Sequence, residues 1–363
     1  MKKVGCITFH ASHNYGSVLQ AYALQEYIKK NFSDVDYKII NLRTKRQKDL
    51  YSIFPKGASL KYRVFILLNY FAFAKKYNRF EYFINNKLNV TKEFSEENLT
   101  EEDFNFDVYI SGGDQIWNLI PLDFSWIFYL PFVKKAKKIS YAVSIGPKML
   151  SFTEDEKKKV KEYVDSYDSV SCREKESIEQ LQKITDRNIS QNIDPVLLLD
   201  KKDWQKLVGE RLEKKSYIFL YILDGDAEAY SFAKRLSKLT HKKVIISKPI
   251  CKKDVFYFSN RFDCGPIEFL NYVYYADCVI STSFHGCVFA SIFEISLFTL
   301  NAEKDNRRKN FLSKYNLNER NVDFSVSDEK LKKLLESCDY SDFKSKILEE
   351  RKVSFEYLAG GLK

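Results

Sequence analysis

The sequence lacks the short motifs that mark several common enzyme classes. It contains no G-x-x-x-x-G-K-[ST], so a P-loop is not predicted, and no G-x-G-x-x-G follows the first predicted strand. A G-x-S-x-G nucleophile elbow is also missing. These absences argue against a P-loop phosphate site, an ordinary dinucleotide site and the nucleophile turn of the α/β-hydrolases.

The cysteines give little support to a disulfide framework. Their number is odd, no C-x-x-C occurs, and several lie inside apolar strand patterns. This usage is typical of reduced, buried thiols in a cytosolic protein. The cysteines are Cys6, Cys172, Cys251, Cys264, Cys278, Cys287 and Cys338.

An apolar run long enough to span a membrane is missing as well. The run behind Lys2 and Lys3 is broken at Thr8 and His10, so no signal peptide is predicted. The most membrane-like stretch, residues 63–80, has an apolar core too short to cross a bilayer. Its basic flanks and aromatic side chains leave two interpretations open. The stretch is either an amphipathic helix lying on a membrane surface, or a helix buried in the fold or at a contact between subunits of a homo-oligomer.

The formal net charge of +10 comes mainly from lysines spread along the chain. Local runs such as Lys157–Lys159 are interleaved with acidic residues on predicted helices, which indicates solvated helix faces. No base-reading motif accompanies them, so we expect no nucleic-acid partner. The excess charge favours anionic substrates or an anionic membrane surface. We expect a cytoplasmic protein, with any peripheral contact at the inner face of the plasma membrane made through residues 63–80.

The order of the predicted elements indicates an α/β protein with two domains. Apolar strands, separated by helical patterns, are predicted at Val4–Phe9, Tyr37–Leu42, Val108–Ser111, Lys138–Gly146, Ser169–Cys172, Tyr217–Leu223, Lys243–Ser247, Asp277–Thr282 and Ser296–Asn301. Such strands predict doubly wound parallel sheets covered on both faces. We expect Rossmann-like domains at residues 1–200, with a helical insertion at about 45–90, and at 201–341. A C-terminal helix is expected at 342–363.

Two of the four histidines lie in the first strand-to-helix turn, H-A-S-H-N-Y-G, residues 10–16. His10 and His13 have no carboxylate or thiolate cluster near them in the sequence, so no metal site is predicted. Asn14 and Tyr15 offer polar contacts for a ligand, and Gly16 opens the following helix.

A second strand-to-helix turn, T-S-F-H-G, carries a third histidine at residues 282–286. Ser283 is placed to cap the helix, and Gly286 lets the backbone approach a ligand. The N–H groups at the start of the helix make an anion site. His285 is suited to donate a proton or a hydrogen bond where a phosphate or an alcohol reacts. The structural alternative is that Ser283 caps the helix and His285 packs under a loop.

The segment S-G-G-D-Q-I-W-N, residues 111–118, lies at another strand end. Gly112 and Gly113 permit unusual backbone angles or a close approach. Asp114 is a candidate base, a candidate acceptor for sugar hydroxyls, or simply a helix cap. Asp194 and Pro195, by contrast, are predicted to cap and fix a bend.

Two further segments carry arginines: one directly after a short strand and one at the start of a late helix. Arg173 is placed where a guanidinium would grip a carboxylate or a phosphate, or else would pair with Glu174 or Glu176. Arg307 and Arg308 begin a late helix, and a surface role is expected for at least one of them.

These turns are expected to meet. Ligands of open α/β sheets bind beyond the carboxyl ends of the strands. Two such domains placed face to face would bring His10, His13 and His285 to one crevice from opposite halves.

Taken together, the segments resemble the polysaccharide pyruvyl transferase family. The resemblance rests on their order and spacing from about residue 4 to residue 320. The matching segments are GCITFHASHNYGSVLQAYALQEYI, DVYISGGDQIWN, SYAVSIG, SCREKESIEQL, NIDPVLLLDKKDW and GPIEFLNYVYYADCVISTSFHGCVFASIFEISLF. The resemblance implies a fold like the GT-B glycosyltransferases, with two Rossmann-like halves around a cleft.

The resemblance also implies an activity: transfer of a pyruvyl group from phosphoenolpyruvate to a pair of sugar hydroxyls, as a cyclic ketal, in capsular or cell-surface polysaccharide synthesis. By position, His285 matches the family's histidine before a glycine, and Arg173 matches its arginine after the fifth strand. Many members carry an arginine immediately before that histidine, where this chain has Phe284. The cation would then have to come from Arg173, Arg307, Arg308 or Lys248.

On this interpretation phosphoenolpyruvate is the donor, the acceptor is an oligosaccharide or lipid-linked sugar, and no cofactor or metal is required. The expected catalytic residues are His285 and Asp114. The expected donor-binding residues are Arg173, Ser283, Gly286 and Arg307. The expected acceptor-binding residues are His13, Asn14, Tyr15, Gly16, Gly112 and Gly113. Two alternatives stay open: a GT-B glycosyltransferase that uses a nucleotide-sugar, and a non-catalytic member of a polysaccharide assembly complex.

Overall fold

The chain folds into two compact units. The computed structural model describes residues 1–121, 123–146, 151–223, 227–248 and 256–363. Unit 1 comprises Met1–Asn69, Phe80–Leu199 and Glu349–Lys363, and unit 2 comprises Tyr70–Arg79 and Asp200–Leu348. Each unit is built on its own five-stranded parallel sheet.

The sheet of unit 1 follows the order β3-β2-β1-β4-β5, and every pairing in it is parallel. Its strands are β1 (Lys2–Ile7), β2 (Val35–Leu42), β3 (Val90–Phe94), β4 (Val108–Gly112) and β5 (Lys137–Tyr141). Val4 in the central strand pairs with Tyr37 on one side and with Val108 on the other. Two short strands, β6 (Val170–Cys172) and β7 (Ile189–Gln191), form a parallel pair that isolated bridges join to the region of β5.

Burial explains why the central strands are rich in apolar residues. All five residues of β4 are buried, as expected for a parallel strand that is covered on both faces. The predicted strand Lys138–Gly146 is too long, because Ala142 adopts a left-handed conformation with φ of 47° directly after β5. Val143 then bridges to Cys172 instead of continuing the main sheet.

The helices of unit 1 include α1 (Tyr15–Asn31), α2 (Lys45–Tyr51), α3 (Leu60–Leu68), the second half of α4 (Tyr70–Lys87), α5 (Glu154–Asp165) and α6 (Lys175–Leu181). The segment 45–90, predicted as a helical insertion, contains α2, α3 and α4. Helix α5 begins in a capping box, because Thr153 and Glu156 each accept a hydrogen bond from the backbone N–H of the other.

Unit 2 repeats the same topology. Its strands are β8 (Tyr217–Tyr221), β9 (Lys243–Ile246), β10 (Phe258–Asn260), β11 (Cys278–Ser281) and β12 (Ser296–Phe298), in the parallel order β10-β9-β8-β11-β12. Its helices include α7 (Lys201–Val208), α8 (Ala227–Thr240), α9 (Pro266–Tyr274), α10 (Phe284–Phe293), α11 (Asn306–Lys314) and α12 (Asp328–Glu336). The last helix, α13 (Ser341–Leu362), begins in unit 2 and ends in unit 1. Counted from its own first strand, each sheet has the order 3-2-1-4-5.

The described cysteines are all free thiols, and only Cys338 among them is not fully buried. Burial raises the pKa of Cys6 to about 12, so this thiol stays protonated. Cys251 lies outside the described residues. Within the described part of the chain, we find no helix with the length and apolar character needed to span a bilayer.

A charged side chain on α13 holds the end of this helix on unit 1. The guanidinium of Arg351 donates to the carbonyl oxygens of Leu197 and Leu199, each at 2.7 Å. The hydroxyl of Tyr357 donates to the carbonyl oxygen of Ser140, also at 2.7 Å. The C-terminal segment is therefore part of the packing of unit 1.

We expect Arg351→Met to lower the free energy of unfolding by about 1–3 kcal/mol, because two carbonyl oxygens lose a charged donor while the aliphatic volume is kept. Chemical denaturation measures the change. The matched control is Arg46→Met, at an exposed arginine of α2. An unchanged midpoint for Arg351→Met would show that water replaces both bonds.

Candidate active site

The strand order of each sheet reverses beside its first strand, and open α/β sheets bind ligands outside the carboxyl ends of the strands at such a switch point. The switch lies between β1 and β4 in unit 1 and between β8 and β11 in unit 2. The predicted residues of turns 10–16 and 111–118 follow β1 and β4. Those of turn 282–286 follow β11.

The turn after β1 ends in a well-formed helix cap. Asn14 occupies the N-cap position of α1, and its side-chain oxygen accepts a hydrogen bond from the N–H of Gly16 at 3.0 Å. Asn14 is exposed, whereas Tyr15 and Gly16 are buried. The first turn of α1 carries no acidic side chain, which leaves its positive end available to polar or anionic groups.

His13 belongs to a hydrogen-bonded group that the sequence did not reveal. Its Nε2 lies 3.0 Å from a carboxylate oxygen of Glu81, and Arg43 donates to both oxygens of the same carboxylate at 2.9 and 3.0 Å. Burial alone would raise the pKa of Glu81, but the hydrogen bonds from His13 and Arg43 lower it. The His13 ring also stacks on Tyr51 and Phe80, with ring centroids 5.6 and 4.9 Å away.

His10, in contrast, has a structural position. It is fully buried, with Nδ1 3.2 Å from the carbonyl oxygen of Thr8 and Nε2 3.0 Å from the side-chain oxygen of Asn41. Burial lowers the pKa of His10 and keeps its ring neutral. Among the described residues, no group of three or more His, Cys, Asp or Glu side chains is arranged to hold a metal ion.

Asp114 connects the end of β4 to the first turn of α1. Its carboxylate accepts hydrogen bonds from the Ser17 hydroxyl at 2.6 Å and from the Gln115 N–H at 2.8 Å. Asp114 has a φ of 57° and lies in a turn, so it caps no helix. Ser17, one turn into α1, is the partner that sequence analysis missed.

Gly113 is required beside Asp114. Its φ is 62°, and a Cβ atom at this position would lie 1.8 Å from the side-chain oxygen of Gln20 and 3.0 Å from the Pro195 ring. The end of β4 therefore approaches both α1 and the bend at Pro195 closely. Gly112 is the last residue of β4.

Arg173 is paired with carboxylates of its own chain. Its Nε donates to Glu174 and its Nη1 to Asp194, both at 2.5 Å, and the side chain is 5% exposed. Burial opposes the charge, but the carboxylates of Glu174, Asp194 and Asp114 outweigh this effect and raise the pKa of Arg173. Asp194 also caps the bend, as predicted, by accepting a hydrogen bond from the Val196 N–H at 3.0 Å.

In unit 2, the start of α10 lies close against the end of β11. A Cβ atom at Gly286 would lie 2.1 Å from the Ser281 hydroxyl, so only glycine fits at this position without a shift of its neighbours. Ser283 occupies the N-cap position, as predicted, although its side chain makes no capping hydrogen bond. The N–H of Ser283 donates instead to the Ser281 hydroxyl at 3.0 Å.

His285 lies in the first turn of α10 and is 7% exposed. The ring of Phe284 contacts the imidazole at 5.2 Å and the ring of Phe311 at 5.9 Å, both edge to face. Phe284 therefore fills an apolar contact between α10 and α11.

Three cations of unit 2 were expected to replace the missing arginine at position 284, and they differ in how strongly hydrogen bonds within the chain hold them. Arg308 is 5% exposed and donates to the hydroxyl of Thr299 and to the carbonyl oxygens of residues 300 and 301. The ammonium group of Lys248 donates to the carbonyl oxygen of Leu223. The side chain of Arg307 is 26% exposed and is held by Asp305 at 3.1 Å through two nitrogens.

Cavity size does not identify this site. A cavity of about 620 Å³ in unit 2 is lined by residues such as Lys215, Tyr217 and Lys243. These residues lie at the amino ends of the strands. The turn that carries His285 follows the carboxyl end of β11, at the opposite edge of the sheet.

We expect Arg173→Met to lower the free energy of unfolding by about 3–5 kcal/mol, because Asp194 would be left buried without its partner. The double variant Arg173→Met/Asp194→Asn should recover part of this loss, and Arg46→Met again serves as the exposed control. Chemical denaturation of the three variants provides the measurement. A fully stable Arg173→Met protein would contradict the structural role and would favour a role in binding a ligand.

The fold is similar to that of two solved epimerases. The UDP-N-acetylglucosamine 2-epimerase from Rickettsia bellii aligns over 99% of this chain and 97% of its own, with a TM-score of 0.55 and 14% identity. The UDP-GlcNAc 2-epimerase from Neisseria meningitidis, bound to UDP-GlcNAc, aligns over 98% and 94%, with a TM-score of 0.51 and 10% identity. At these identities the likeness concerns the fold alone, which is GT-B-like, with two Rossmann-like α/β units.

A comparison with curated proteins gave no match. A model of the polysaccharide pyruvyl transferase family, however, matches residues 14–302. The match begins at the N-cap of α1 and includes Asp114, Arg173 and the turn that carries His285. Because it covers most of the chain, the predicted relationship is confirmed, and this protein belongs to the polysaccharide pyruvyl transferase family.

Proposed function

We propose that this protein transfers the pyruvyl group of phosphoenolpyruvate to a pair of hydroxyl groups on a sugar, as a cyclic ketal, in the synthesis of a capsular or cell-surface polysaccharide. Membership of the family supports this class of reaction. The observation that carries the proposal is the position of His285, a titratable side chain in the first turn of α10 at the switch point of unit 2.

The start of α10 suits the donor. Phosphoenolpyruvate carries a phosphate and a carboxylate, and the first turn of a helix presents N–H groups together with the positive end of the helix dipole. No acidic side chain lies in the first turn of α10. We assign the phosphate to the backbone of Ser283–Gly286 and the carboxylate to the partly exposed guanidinium of Arg307.

The acceptor is assigned to the switch point of unit 1. Sugar hydroxyls both donate and accept hydrogen bonds, and this turn offers amide, carboxylate and imidazole groups. The assigned side chains are His13, Asn14, Tyr15 and Asp114, with the backbone of Gly16, Gly112 and Gly113 close to them in sequence. Arg173 supports this edge by holding Asp194 and is not itself assigned to the donor.

Each proton and leaving group has a place in the reaction. In unit 2, His285 is assigned to give a proton to the methylene carbon of the donor, and the first sugar hydroxyl then adds to the neighbouring carbon and loses its proton to a base. In unit 1, Asp114 is the carboxylate that we assign as a base for an acceptor hydroxyl. The carbon–oxygen bond to phosphate then breaks and inorganic phosphate leaves. The second hydroxyl adds to the same carbon, which closes the ketal, and its proton restores the acid. The proton of the first hydroxyl leaves with the phosphate as hydrogen phosphate. Acid–base assistance of this kind is typically worth about 10²–10⁴-fold in rate.

A donor screen by thermal shift tests the class of reaction. We expect phosphoenolpyruvate to raise the melting temperature, because a ligand at about 100 times its Kd adds about 2.7 kcal/mol to the stability of the folded state. Pyruvate, inorganic phosphate and UDP are the comparison ligands. Stabilisation by UDP but not by phosphoenolpyruvate would indicate a nucleotide-sugar enzyme. Stabilisation by none of them would indicate a non-catalytic protein.

His285→Gln tests the assigned acid. We expect phosphate release from phosphoenolpyruvate, in the presence of an oligosaccharide acceptor, to fall by about 10²–10⁴-fold, because glutamine keeps a hydrogen bond but cannot transfer a proton. The thermal shift caused by phosphoenolpyruvate should persist. The matched control is His241→Gln, at an exposed histidine after α8, which should keep full activity. Equal rates for His285→Gln and the unchanged protein would remove His285 from the mechanism.

A further inference from the structure

Helix α3 is unusual because most of its residues are apolar and most are exposed. Its sequence is LKYRVFILL, and Ile66 is the one fully buried residue in it. Leu60, Val64, Leu67 and Leu68 are exposed to 79%, 46%, 62% and 80% of their surface. A helix of a soluble protein normally turns its apolar side chains inward, so an exposed apolar stripe marks an interaction surface.

Four of the exposed apolar side chains form one stripe on this helix, and the exposed Tyr62 lies outside it. At about 100° of rotation per residue, Leu60, Val64, Leu67 and Leu68 fall within an arc of roughly 100°. Ile66, which packs inward, lies on the opposite side. We refer to these four residues as the α3 stripe. Phe71, three residues beyond α3, is 88% exposed as well.

Basic side chains border the stripe. On the same projection, Lys61 falls at one edge of the stripe and Arg63 at the other, and both are exposed. Lysine and arginine lay their methylene groups along apolar surface while their charged ends reach toward polar groups, as in helices that lie at a membrane interface. No ion pair of Lys61 or Arg63 is found among the described residues.

The charge of the surrounding segment is of one sign. Between Asp49 and Glu81 the chain has no acidic residue, and it carries Lys56, Lys61, Arg63, Lys75, Lys76 and Arg79. Lys56, Lys75 and Arg79 are balanced by acidic side chains elsewhere in the chain, whereas the two residues beside the stripe are not. The α3 stripe therefore combines apolar area with uncompensated positive charge.

We propose that α3 is an interfacial helix that binds this protein to a membrane surface containing anionic lipid. An apolar face bordered by lysine and arginine fits the boundary between acyl chains and anionic headgroups. A symmetric contact with a second copy fits less well, because the same patch would face itself and bring its basic residues together without acidic partners. The inference does not depend on the proposed pyruvyl transfer.

Flotation of the full-length protein with vesicles tests the proposal. We expect binding to vesicles of phosphatidylcholine with 30% phosphatidylglycerol, weaker binding as salt is raised, and little binding to phosphatidylcholine alone. Leu67→Ser/Leu68→Ser should weaken binding by at least about ten-fold, because the buried apolar area is lost. Lys61→Ala/Arg63→Ala should weaken binding to anionic vesicles by about five-fold per residue.

Matched controls separate the stripe from general surface properties. Leu212→Ser/Leu348→Ser removes two other exposed leucines, and Lys332→Ala/Lys333→Ala removes the same charge from α12. Both control proteins should bind vesicles like the unchanged protein. The proposal is overturned if no vesicle binds the protein, or if the stripe variant binds as well as its control. It is also overturned if sedimentation without lipid shows a dimer that Leu67→Ser/Leu68→Ser dissociates, because α3 would then be a contact between subunits.

Discussion

Parallel pairing around β1 and around β8 decides where the chemistry of this chain lies. Parallel neighbours need crossover connections, so all strands of a sheet end at one edge and their following turns gather there. In unit 1 these turns carry His13 and Asp114, which are far apart in sequence, and Arg173 follows β6 in the two-stranded sheet that is bridged to the region of β5. In unit 2 they carry His285 and the segment before Arg307. A polar residue at this edge can form hydrogen bonds or ion pairs within the chain, or it can contact a ligand.

Most charged groups at this edge are used to hold the turns. Arg173 and Asp194 form a buried ion pair, and removing one partner of such a pair costs about 3–5 kcal/mol, far more than an exposed pair contributes. Arg308 fixes the chain after β12 through one side-chain and two backbone oxygens. In unit 2 the groups that we propose to meet the substrate are the imidazole of His285, the first turn of α10 and the partly exposed Arg307, which Asp305 also holds.

The central strands and the long helices could be predicted from the sequence. The strands are buried on both faces and therefore form short apolar runs, whereas the helices are buried on one face and show an apolar period. The short outer strands β3, β7 and β10 were missed, since three to five residues with polar members carry no clear period. The turns at residues 10–16, 111–118 and 282–286 were located correctly, but the side-chain contacts within them were not predicted. The partner of His13 is Glu81, 68 residues away, and no local pattern joins them. The ion pair of Arg173 with Glu174 was one of two open alternatives, and only the structure showed Asp194 as its second partner.

Phe284 changes how an anion would be held in unit 2. A side-chain cation at this position would bring a full charge to the site. The apolar ring packs instead against Phe311 and beside His285, and the residues of the first turn of α10 are buried. The partial positive charge at the start of a helix, equivalent to about half an elementary charge, acts more strongly where the local dielectric constant is low. An anion bound at this turn would therefore depend on backbone N–H groups, whose positions are fixed by the close contact of Gly286 with Ser281. The same contact explains why a glycine is required one residue after the histidine. On the proposed assignment, phosphate binding would depend on the geometry of the β11–α10 turn more than on any single cation.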